Sequence, residues 1–381
     1  MDLGGKWVAA LGGGAVSGFP DLAYDDSDWM PVEVPGHWGR VSELADAASV
    51  RYRHRFSQQP PTGGERRWLV FEGLLYHVDS GKVEHTGDHV LAAGLNHVEW
   101  RVEVPEPHRW WPHELGDQPL CDVTVEVGTT QGGLSDRRRV RTGLRAVQMD
   151  NWQFSVNGVR MFLKGTSFGP ATPWWAEIDE AGLRRDVELA KEAGLNLIWA
   201  YGHVAPPSLY DAADEAGMLI WQDLPLVGPF PRGNRDAATD CARAAVGAVG
   251  AHPSVIMWCG HVDPLGDSAD PSVQQGIARK FATHQRPSWN LSVLDRSLKR
   301  ELERHDTTRP AVAYSGVLPH LPRLDDTDTH LWLGWKRGQE RDLEQFAARW
   351  PRAVRFVSQF GAQSPPREMP LLSPQTWPDL D

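Results

Sequence analysis

The chain has 381 residues, of which 41% are hydrophobic and 23% charged, and its formal net charge is −11. This composition is typical of a soluble globular protein, and the length exceeds one ordinary hydrophobic core, so two or three domains are expected. The acidic balance argues against a nucleic-acid partner, which a basic surface would favour, and no apolar run approaches the ~20 residues of a membrane span.

Residues 1–156 predict β structure. Alternating or β-branched runs typical of strands occur at residues 51–56, 68–71, 98–104 and 123–127. Clusters of proline and glycine at residues 60–64 and 105–112 separate these runs, and no segment with helical periodicity intervenes. The pattern is typical of β-sandwich domains.

The pattern changes at Asn157-Gly158, a dipeptide that favours a hairpin turn. Short apolar runs then alternate with amphipathic segments. Strands are predicted at residues 161–164, 195–199, 218–221, 255–259, 311–314, 329–333 and 355–358, and helices at residues 180–193, 208–216, 237–249, 291–305 and 342–349. Repeated units of this kind indicate a parallel sheet, here of the (β/α)8 barrel type. The run 255–259 is the fourth strand and 355–358 the seventh.

An eighth strand is not visible after Gln359, where the remaining residues are rich in proline. A closed barrel needs eight strands and typically about 250 residues, more than follow residue 161 here. The barrel is therefore predicted to be incomplete at the C-terminus. Two explanations stay open: the sequence is a fragment of a longer protein, or the barrel is open.

Nine segments carry a resemblance to a known family in the order in which that family has them. They are SDWMPVEVPGHW (27–38), YRHRF (52–56), PHRWWPHELGDQPLCDVTVEV (107–127), NGVRMFLKGTSFGP (157–170), LYDAADEAGMLIWQD (209–223), HPSVIMWCG (252–260), DTTRP (306–310), THLWLGW (329–335) and FVSQFGAQS (356–364). Together they resemble glycoside hydrolase family 2, the group of β-galactosidases, β-glucuronidases and β-mannosidases, and look closest to its bacterial β-mannosidase-like branch.

The resemblance implies a multidomain β and α/β fold. A truncated sugar-binding jelly roll is expected over residues 1–80, a partial immunoglobulin-like β-sandwich over 81–156, and the (β/α)8 TIM-barrel domain over 157–381. Both β domains are shorter than complete ones, since an immunoglobulin-like domain alone takes about 100 residues.

The family's enzymes are retaining glycosidases, which need two carboxyl groups about 5 Å apart across the glycosidic bond. The resemblance implies an acid/base Glu, preceded by Asn, after strand four, and a nucleophilic Glu after strand seven. Here Val262-Asp263 stands at the first place and Gln359 at the second, while Trp199 occupies a strand-two position that usually carries Arg. Asp263 keeps a carboxyl on a side chain one methylene shorter, whereas an amide at Gln359 cannot attack the anomeric carbon.

Further residues at the predicted barrel mouth are candidates for substrate binding: His203, Asp223, His261, His330, Trp332, Trp174 and Trp175. The resemblance places His330 and Trp332 at the family's sugar-contacting position on strand six. Other roles stay open for the rest: capping of a turn by Asp223, a structural role for His203 and His261, and packing for Trp174 and Trp175.

Neither a metal nor a cofactor is predicted. HExxH and clustered carboxylates at ligand spacing are absent from the sequence, and the glycine-rich stretches do not lie between a strand and a helix. Cys121, Cys241 and Cys259 have no CxxC spacing and cannot all pair. Buried thiols in a reducing compartment are expected, and the protein is predicted to be cytoplasmic.

Three hypotheses about function follow. The first is an O-glycosyl hydrolase of β-linked sugars, similar to β-mannosidases or β-galactosidases, with Asp263 as acid/base. The second is a catalytically inactive carbohydrate-binding homologue, and the third is a decayed fragment of such an enzyme; Gln359 argues for both of these against turnover. The predicted partner is a carbohydrate, either a β-glycoside or an oligosaccharide, and the resemblance to a family of frequent oligomers implies a homo-oligomer.

Overall fold

The computed structural model describes residues 5–11, 25–34, 41, 43–44, 50–53, 70–77, 81–87, 102, 104–128, 134–169, 179–265, 286–317, 328–331, 339, 341–349 and 351–360. The predicted strand at residues 98–104 falls almost wholly outside these ranges. Within them, no helix combines the length and the apolar character that crossing a membrane would take.

Two antiparallel sheets occupy the N-terminal part. The first has the order β2-β1-β3, and the second the order β5-β4-β6-β7. Their strands are β1 (Gly5–Leu11), β2 (Met30–Val34), β3 (Val50–Arg53), β4 (Val70–His77), β5 (Gly81–Gly87), β6 (Cys121–Gly128) and β7 (Leu134–Thr142). Because β4 pairs with both β5 and β6, the domain boundary predicted at residue 80 falls inside the second sheet, between β4 and β5.

A third antiparallel sheet joins the β part to the α/β part. It consists of β8 (Val147–Asp150), β9 (Gln153–Val156) and β10 (Val159–Met161). Asn157 and Gly158 link β9 to β10 with φ angles of 50° and 84°. Two central residues with positive φ are what a two-residue type I′ hairpin needs, so the turn predicted from Asn-Gly is confirmed.

Parallel strands dominate the rest of the chain. One sheet holds β11 (Gly165–Phe168), β12 (Leu197–Ala200), β13 (Leu219–Asp223), β14 (Val255–Cys259) and β15 (Ala311–Val312) in sequence order. A second, two-stranded parallel sheet holds β16 (Thr329–Leu331) and β17 (Val357–Phe360). Along the chain β14 is the fourth and β17 the seventh of these strands, as predicted. Closure of the two sheets into one barrel stays a prediction.

The first of these strands corrects the sequence prediction. A strand was expected at residues 161–164, where the apolar run Met-Phe-Leu lies, but Met161 ends β10 and the parallel strand is Gly165–Phe168. At Gly165 an added Cβ would lie 2.9 Å from the carbonyl oxygen of Leu197. The close approach of β11 to β12 therefore needs glycine, whose low strand propensity conceals the strand in the sequence.

Helices connect the parallel strands. They are α1 (Glu180–Glu192), α2 (Pro207–Ala216), α3 (Arg235–Val249), α4 (Asp295–His305) and α5 (Asp342–Arg349), with one turn of π-helix at Asn290–Leu294 leading into α4. The side chain of Asp179 accepts a hydrogen bond from the N–H of Ala181 and so caps α1. Gly217, with φ 70°, ends α2. α1 packs beside α2, and α3 packs beside α4.

The start of β14 is held by two arginines, of which Arg309 is buried and Arg145 half-buried. The carbonyl oxygen of Val255 accepts hydrogen bonds from Arg145, 2.7 Å away, and from Arg309, 2.9 Å away. Arg309 also donates to the carbonyl oxygen of Gly250 and forms an ion pair of 2.7 Å with Asp306. Since Arg145 follows the second β sheet and Arg309 precedes β15, both parts of the chain meet at this oxygen.

Arg309→Lys tests this anchor. A lysine keeps the charge but lacks the planar fork that reaches Asp306 and two carbonyl groups together, so we expect a loss of about 3 kcal/mol in the free energy of unfolding. Urea denaturation would measure it as a lower midpoint with an unchanged slope. Arg304→Lys is the control, because that side chain is 72% exposed; an equal loss in both variants would contradict the assignment.

Candidate active site

Asp263 lies four residues beyond the end of β14, on a backbone that is fixed on both sides. Val262 bridges to Val227 and to Ser315, and the N–H of Asp263 donates to the carbonyl oxygen of Ser315 over 3.0 Å. Asp263 has φ 46°, a left-handed conformation that few residues other than glycine adopt. Such backbone outliers are frequent at functional sites, and this one lies beyond the carboxyl end of β14, with its carboxyl group 3.4 Å from His330.

His330 brings Asp263 and Gln359 to one place. His330 Nδ1 lies 3.4 Å from Asp263 Oδ1, and the parallel pairing of β16 with β17 sets His330 beside Gln359. The Asp263 side chain is 20% exposed, whereas His330 and Gln359 are nearly buried. His330 therefore lies near the Asp263 carboxyl group and is the strand-register neighbour of Gln359, and Asp263 is the more exposed of the two predicted positions.

The close contact between Asp263 and His330 requires a glycine at position 316. Gly316 has φ 81°, and an added Cβ would collide with Asp263 Oδ1 and with the imidazole ring of His330. Both the conformation and the lack of a side chain are thus needed where the two groups meet.

Asp223 ends β13 and is fully buried. Its Oδ2 accepts a hydrogen bond of 2.9 Å from the N–H of Gly202, while Oδ1 has no hydrogen-bond partner among the described residues. Burial raises the pKa of Asp223 to about 8, against the opposing effect of the nearby indole of Trp199 and of the Gly202 N–H. At neutral pH Asp223 is therefore mostly a neutral acid that can donate a hydrogen bond.

Trp199 fills the strand-two position at which the resemblance implies an arginine. It is buried on β12, stacks on Trp221 with ring centroids 4.8 Å apart, and lies 5.9 Å from the ring of His330. The indole brings bulk but no positive charge to the interior between Asp223 and His330. A cation here would have favoured an ionised Asp223.

The other residues predicted to bind substrate form two groups: two histidines that the structure describes and three tryptophans that it does not. His261 is fully buried, with Nδ1 2.7 Å from Asp295 Oδ1 and Nε2 2.6 Å from the carbonyl oxygen of Gly228. Both its ring nitrogens are used inside the protein, so the prediction that His261 binds substrate is corrected in favour of the structural alternative. His203 is also buried, and its Nδ1 lies 3.0 Å from the carbonyl oxygen of Tyr201, while burial lowers its pKa. Trp174, Trp175 and Trp332 lie outside the described residues.

The sequence predicted no metal site, yet Asp211, Asp214 and His252 place potential ligand atoms within 4.8 Å of one another. Protein groups already engage each of them. Asp214 accepts hydrogen bonds from Ser254 N–H and pairs with His252 Nδ1 at 2.7 Å, and Asp211 forms an ion pair with Arg141. These contacts describe a hydrogen-bond network on α2 and its neighbours.

Sequence reasoning missed a buried cluster behind His330. Asp328 is fully buried and accepts hydrogen bonds from the hydroxyl groups of Ser315 and Ser358, and Ser315 Oγ also lies 3.1 Å from His330 Nε2. The signal was present, since Asp328 stands two residues before His330 and Ser358 directly before Gln359. Only the pairing of β16 with β17 shows that the two segments meet.

Comparison with known proteins gives the relatives of this chain. A family model described as "Glycosyl hydrolases family 2" matches residues 48–145. β-Mannosidase A of Emericella nidulans is 29% identical over 302 residues, which cover 64% of this chain and 32% of that protein. β-Mannosidase A of Aspergillus fumigatus is 27% identical over 314 residues, which cover 72% of this chain and 32% of that protein. The chain thus spans about a third of the length of these curated relatives.

Solved structures show the same fold. The β-D-mannosidase from Dictyoglomus thermophilum superposes with a TM-score of 0.59 at 22% identity, and Bacteroides uniformis β-glucuronidase 2 with a TM-score of 0.60 at 21% identity. Each match covers 78% of this chain and 37% of the other. The fold is that of a family 2 glycoside hydrolase, with β-sandwich sheets followed by a parallel α/β sheet. The chain is therefore related to glycoside hydrolase family 2, with β-mannosidases among its homologues.

Asp223→Asn tests the neutral acid. Because the pKa of Asp223 is raised from 3.8 to about 8, the folded protein holds a proton that the unfolded chain releases above pH ~4, and stability falls as pH rises through this interval. Asparagine cannot ionise, so its stability relative to the original should improve from pH 5 to pH 8, by up to about 1.4 kcal/mol per pH unit.

Thermal unfolding at each pH would measure the difference between the two proteins. Asp236→Asn, which makes the same substitution at an exposed position, serves as the control. An Asp223→Asn difference that does not change with pH would show that Asp223 is ionised in the folded protein.

Proposed function

We propose that the carboxyl edge of the parallel strands is a binding site for β-linked sugars, of the glycoside hydrolase family 2 type, with β-mannosides as the favoured ligands. One observation supports the proposal: His330 lies 3.4 Å from Asp263 and is the register partner of Gln359, so the two positions that the family resemblance assigns to catalysis are linked through one histidine. The homology with β-mannosidases supports the choice of sugar.

The residues at these two positions allow half of the retaining mechanism. Asp263 has the carboxyl group that protonates a leaving glycosidic oxygen and is accessible enough to meet it. Gln359 has an amide, which is too poor a nucleophile to form a glycosyl-enzyme and carries no negative charge to stabilise an oxocarbenium-like centre. The chain would thus bind a β-glycoside and stop before the first covalent step.

Burial explains why an amide is stable here. Positions 199 and 359 are both buried, and both carry uncharged side chains, Trp199 and Gln359. Uncharged side chains at both positions avoid the cost of burying an unpaired charge. An amide at position 359 is therefore compatible with a folded site, and His330, the strand-register neighbour, is the group that could pair with a carboxylate introduced there.

A working O-glycosyl hydrolase is the second candidate, because Asp263 keeps its carboxyl group in contact with His330. It would need a nucleophile other than Gln359. The two candidates differ in one measurable respect: the hydrolase turns over an aryl β-glycoside as it stands, whereas the binding site does so only once a carboxylate is restored.

Gln359→Glu decides between them. With 2,4-dinitrophenyl β-D-mannoside, whose leaving group needs no protonation, we expect the variant to release dinitrophenolate at least about 100-fold faster than the original, since loss of a nucleophile costs up to about 10⁶-fold in a well-studied case. Stopped-flow absorbance measures the release, and intact-protein mass would show the added mannosyl group. The corresponding galactoside and glucuronide test the choice of sugar.

Gln148→Glu, at an exposed position on β8, is the matched control and should leave the rate unchanged. Hydrolysis by the original protein that disappears in Asp263→Ala would establish the working hydrolase instead. Equal inactivity of the original and of Gln359→Glu, with both folded, would contradict the proposed site.

A further inference from the structure

A chain of contacts leads from the buried carboxylate of Asp328 to the accessible carboxyl group of Asp263. Asp328 accepts the hydroxyl hydrogens of Ser315 and Ser358, Ser315 Oγ lies 3.1 Å from His330 Nε2, and His330 Nδ1 lies 3.4 Å from Asp263 Oδ1. Ser315 and Asp328 are fully buried, so Asp263 is the accessible end.

The direction of these hydrogen bonds follows from counting hydrogens. An ionised carboxylate only accepts, so the single hydroxyl hydrogen of Ser315 points to Asp328. Ser315 Oγ can then only accept from the imidazole, which places a hydrogen on His330 Nε2. In the neutral ring the other nitrogen, Nδ1, carries a lone pair, and that nitrogen is the one that faces Asp263.

A lone pair and a carboxylate oxygen that face each other repel unless a hydrogen lies between them. We infer that His330 is a positioning residue whose tautomer is set by Asp328 through Ser315, so that its bare Nδ1 faces Asp263 and shares one proton with it when a bound ligand tightens the contact. This inference rests on the proposed site and names the group that orients its acid. At 3.4 Å the two atoms are in proximity without a hydrogen bond, and catalytic hydrogen bonds commonly form fully only around a bound ligand.

The shared proton is the one that a glycosidic oxygen would receive. In Gln359→Glu the introduced carboxylate bonds to the anomeric carbon while Asp263 gives the proton to the leaving oxygen, so the glycosidic C–O bond breaks and Asp263 is left as a carboxylate. A water then attacks the anomeric carbon and gives its proton to Asp263, which releases the sugar and restores both carboxyl groups. Asp263 is one methylene shorter than the family's glutamate. The imidazole of His330, and the space that the missing side chain of Gly316 leaves for Asp263 Oδ1, restrict where its carboxyl group can lie.

The surroundings of His330 suit this role. Among the residues that the structure describes, Asp263 faces the ring at Nδ1 and Asp328 lies near Nε2, with its Oδ2 3.7 Å away. Trp199 packs against the ring and Gln359 pairs beside it on β17, and both are uncharged. Ser358 offers an internal control. Its hydroxyl donates to the same carboxylate of Asp328, but the hydroxyl that lies within hydrogen-bond distance of His330 Nε2 is that of Ser315.

Asp328→Asn should reverse the direction of the hydrogen bonds that run from His330 through Ser315 to residue 328. The asparagine oxygen is expected to take the place of Oδ1, which faces the N–H of Gly316, so that the amide hydrogens point to Ser315 and Ser358. Ser315 would then donate to Nε2, and the ring hydrogen would move to Nδ1. Long-range ¹H–¹⁵N spectra of the full chain with labelled histidine report the tautomer, and His330→Gln identifies the signal.

We expect a protonated Nε2 in the original protein and in Ser358→Ala, and a protonated Nδ1 with bare Nε2 in Asp328→Asn. A bare Nε2 in the original protein overturns the inference, even if Asp328→Asn does not fold. An unchanged tautomer in a folded Asp328→Asn overturns it as well. Neither result depends on sugar binding, so this experiment separates the inference from the proposed function.

A kinetic readout distinguishes positioning from general support of the structure. On the Gln359→Glu background, Asp328→Asn should slow the hydrolysis of methyl β-D-mannoside, whose leaving group needs a proton, by about 100-fold. Hydrolysis of the dinitrophenyl glycoside should change less than about 3-fold, a margin well below that acid contribution. Ser358→Ala should leave the ratio of the two rates unchanged. Equal slowing of both substrates by Asp328→Asn would show a merely structural role.

Discussion

The carbonyl oxygen of Val255 is the point on which the two parts of this protein depend. Arg145, from the end of the β part, and Arg309, from the start of β15, both donate to it, although burial and the neighbouring Arg309 lower the pKa of Arg145 to about 9. Two such cations at one carbonyl are stable because Asp306 and the local carbonyl groups satisfy them. They fix the start of β14, and Asp263 lies four residues beyond its other end, Cys259.

Near the other end of β14, the cost of burying a charge is avoided because the buried side chains are uncharged. The interior between β12, β13 and β17 holds Trp199, Asp223 and Gln359, none of which presents a full charge at neutral pH. Among the described residues of this region, Asp263 reaches solvent, and three donor groups satisfy the buried Asp328. Uncharged groups of this kind suit the proposed binding of a neutral sugar by hydrogen bonds, and the amide of Gln359 does not supply the negative charge of a retaining nucleophile.

Much of this was predictable from the sequence, and the exceptions have physical reasons. The run Val255–Cys259 and the helix Asp342–Arg349 were predicted with their observed limits, because uninterrupted burial and helical periodicity are strong local signals. The strand Gly165–Phe168 was predicted at the wrong residues. Its glycine is needed for the close approach of the neighbouring strand, and glycine has a low strand propensity that local patterns do not reveal. The sequence motifs predicted the positions of Asp263 and Gln359. They did not predict the cluster of Ser315, Asp328 and Ser358, because these residues are far apart in sequence and meet only through strand pairing.

The central claim is that this edge binds a β-linked sugar with the acid in place and the nucleophile silenced. A crystal structure of the unaltered chain with an aryl β-D-mannoside tests it most directly. The account predicts an intact glycoside, with its glycosidic oxygen within hydrogen-bond reach of Asp263 and its anomeric carbon facing the amide of Gln359. A mannosyl group bonded to any side chain, a cleaved sugar, or a glycoside bound away from His330 would contradict it.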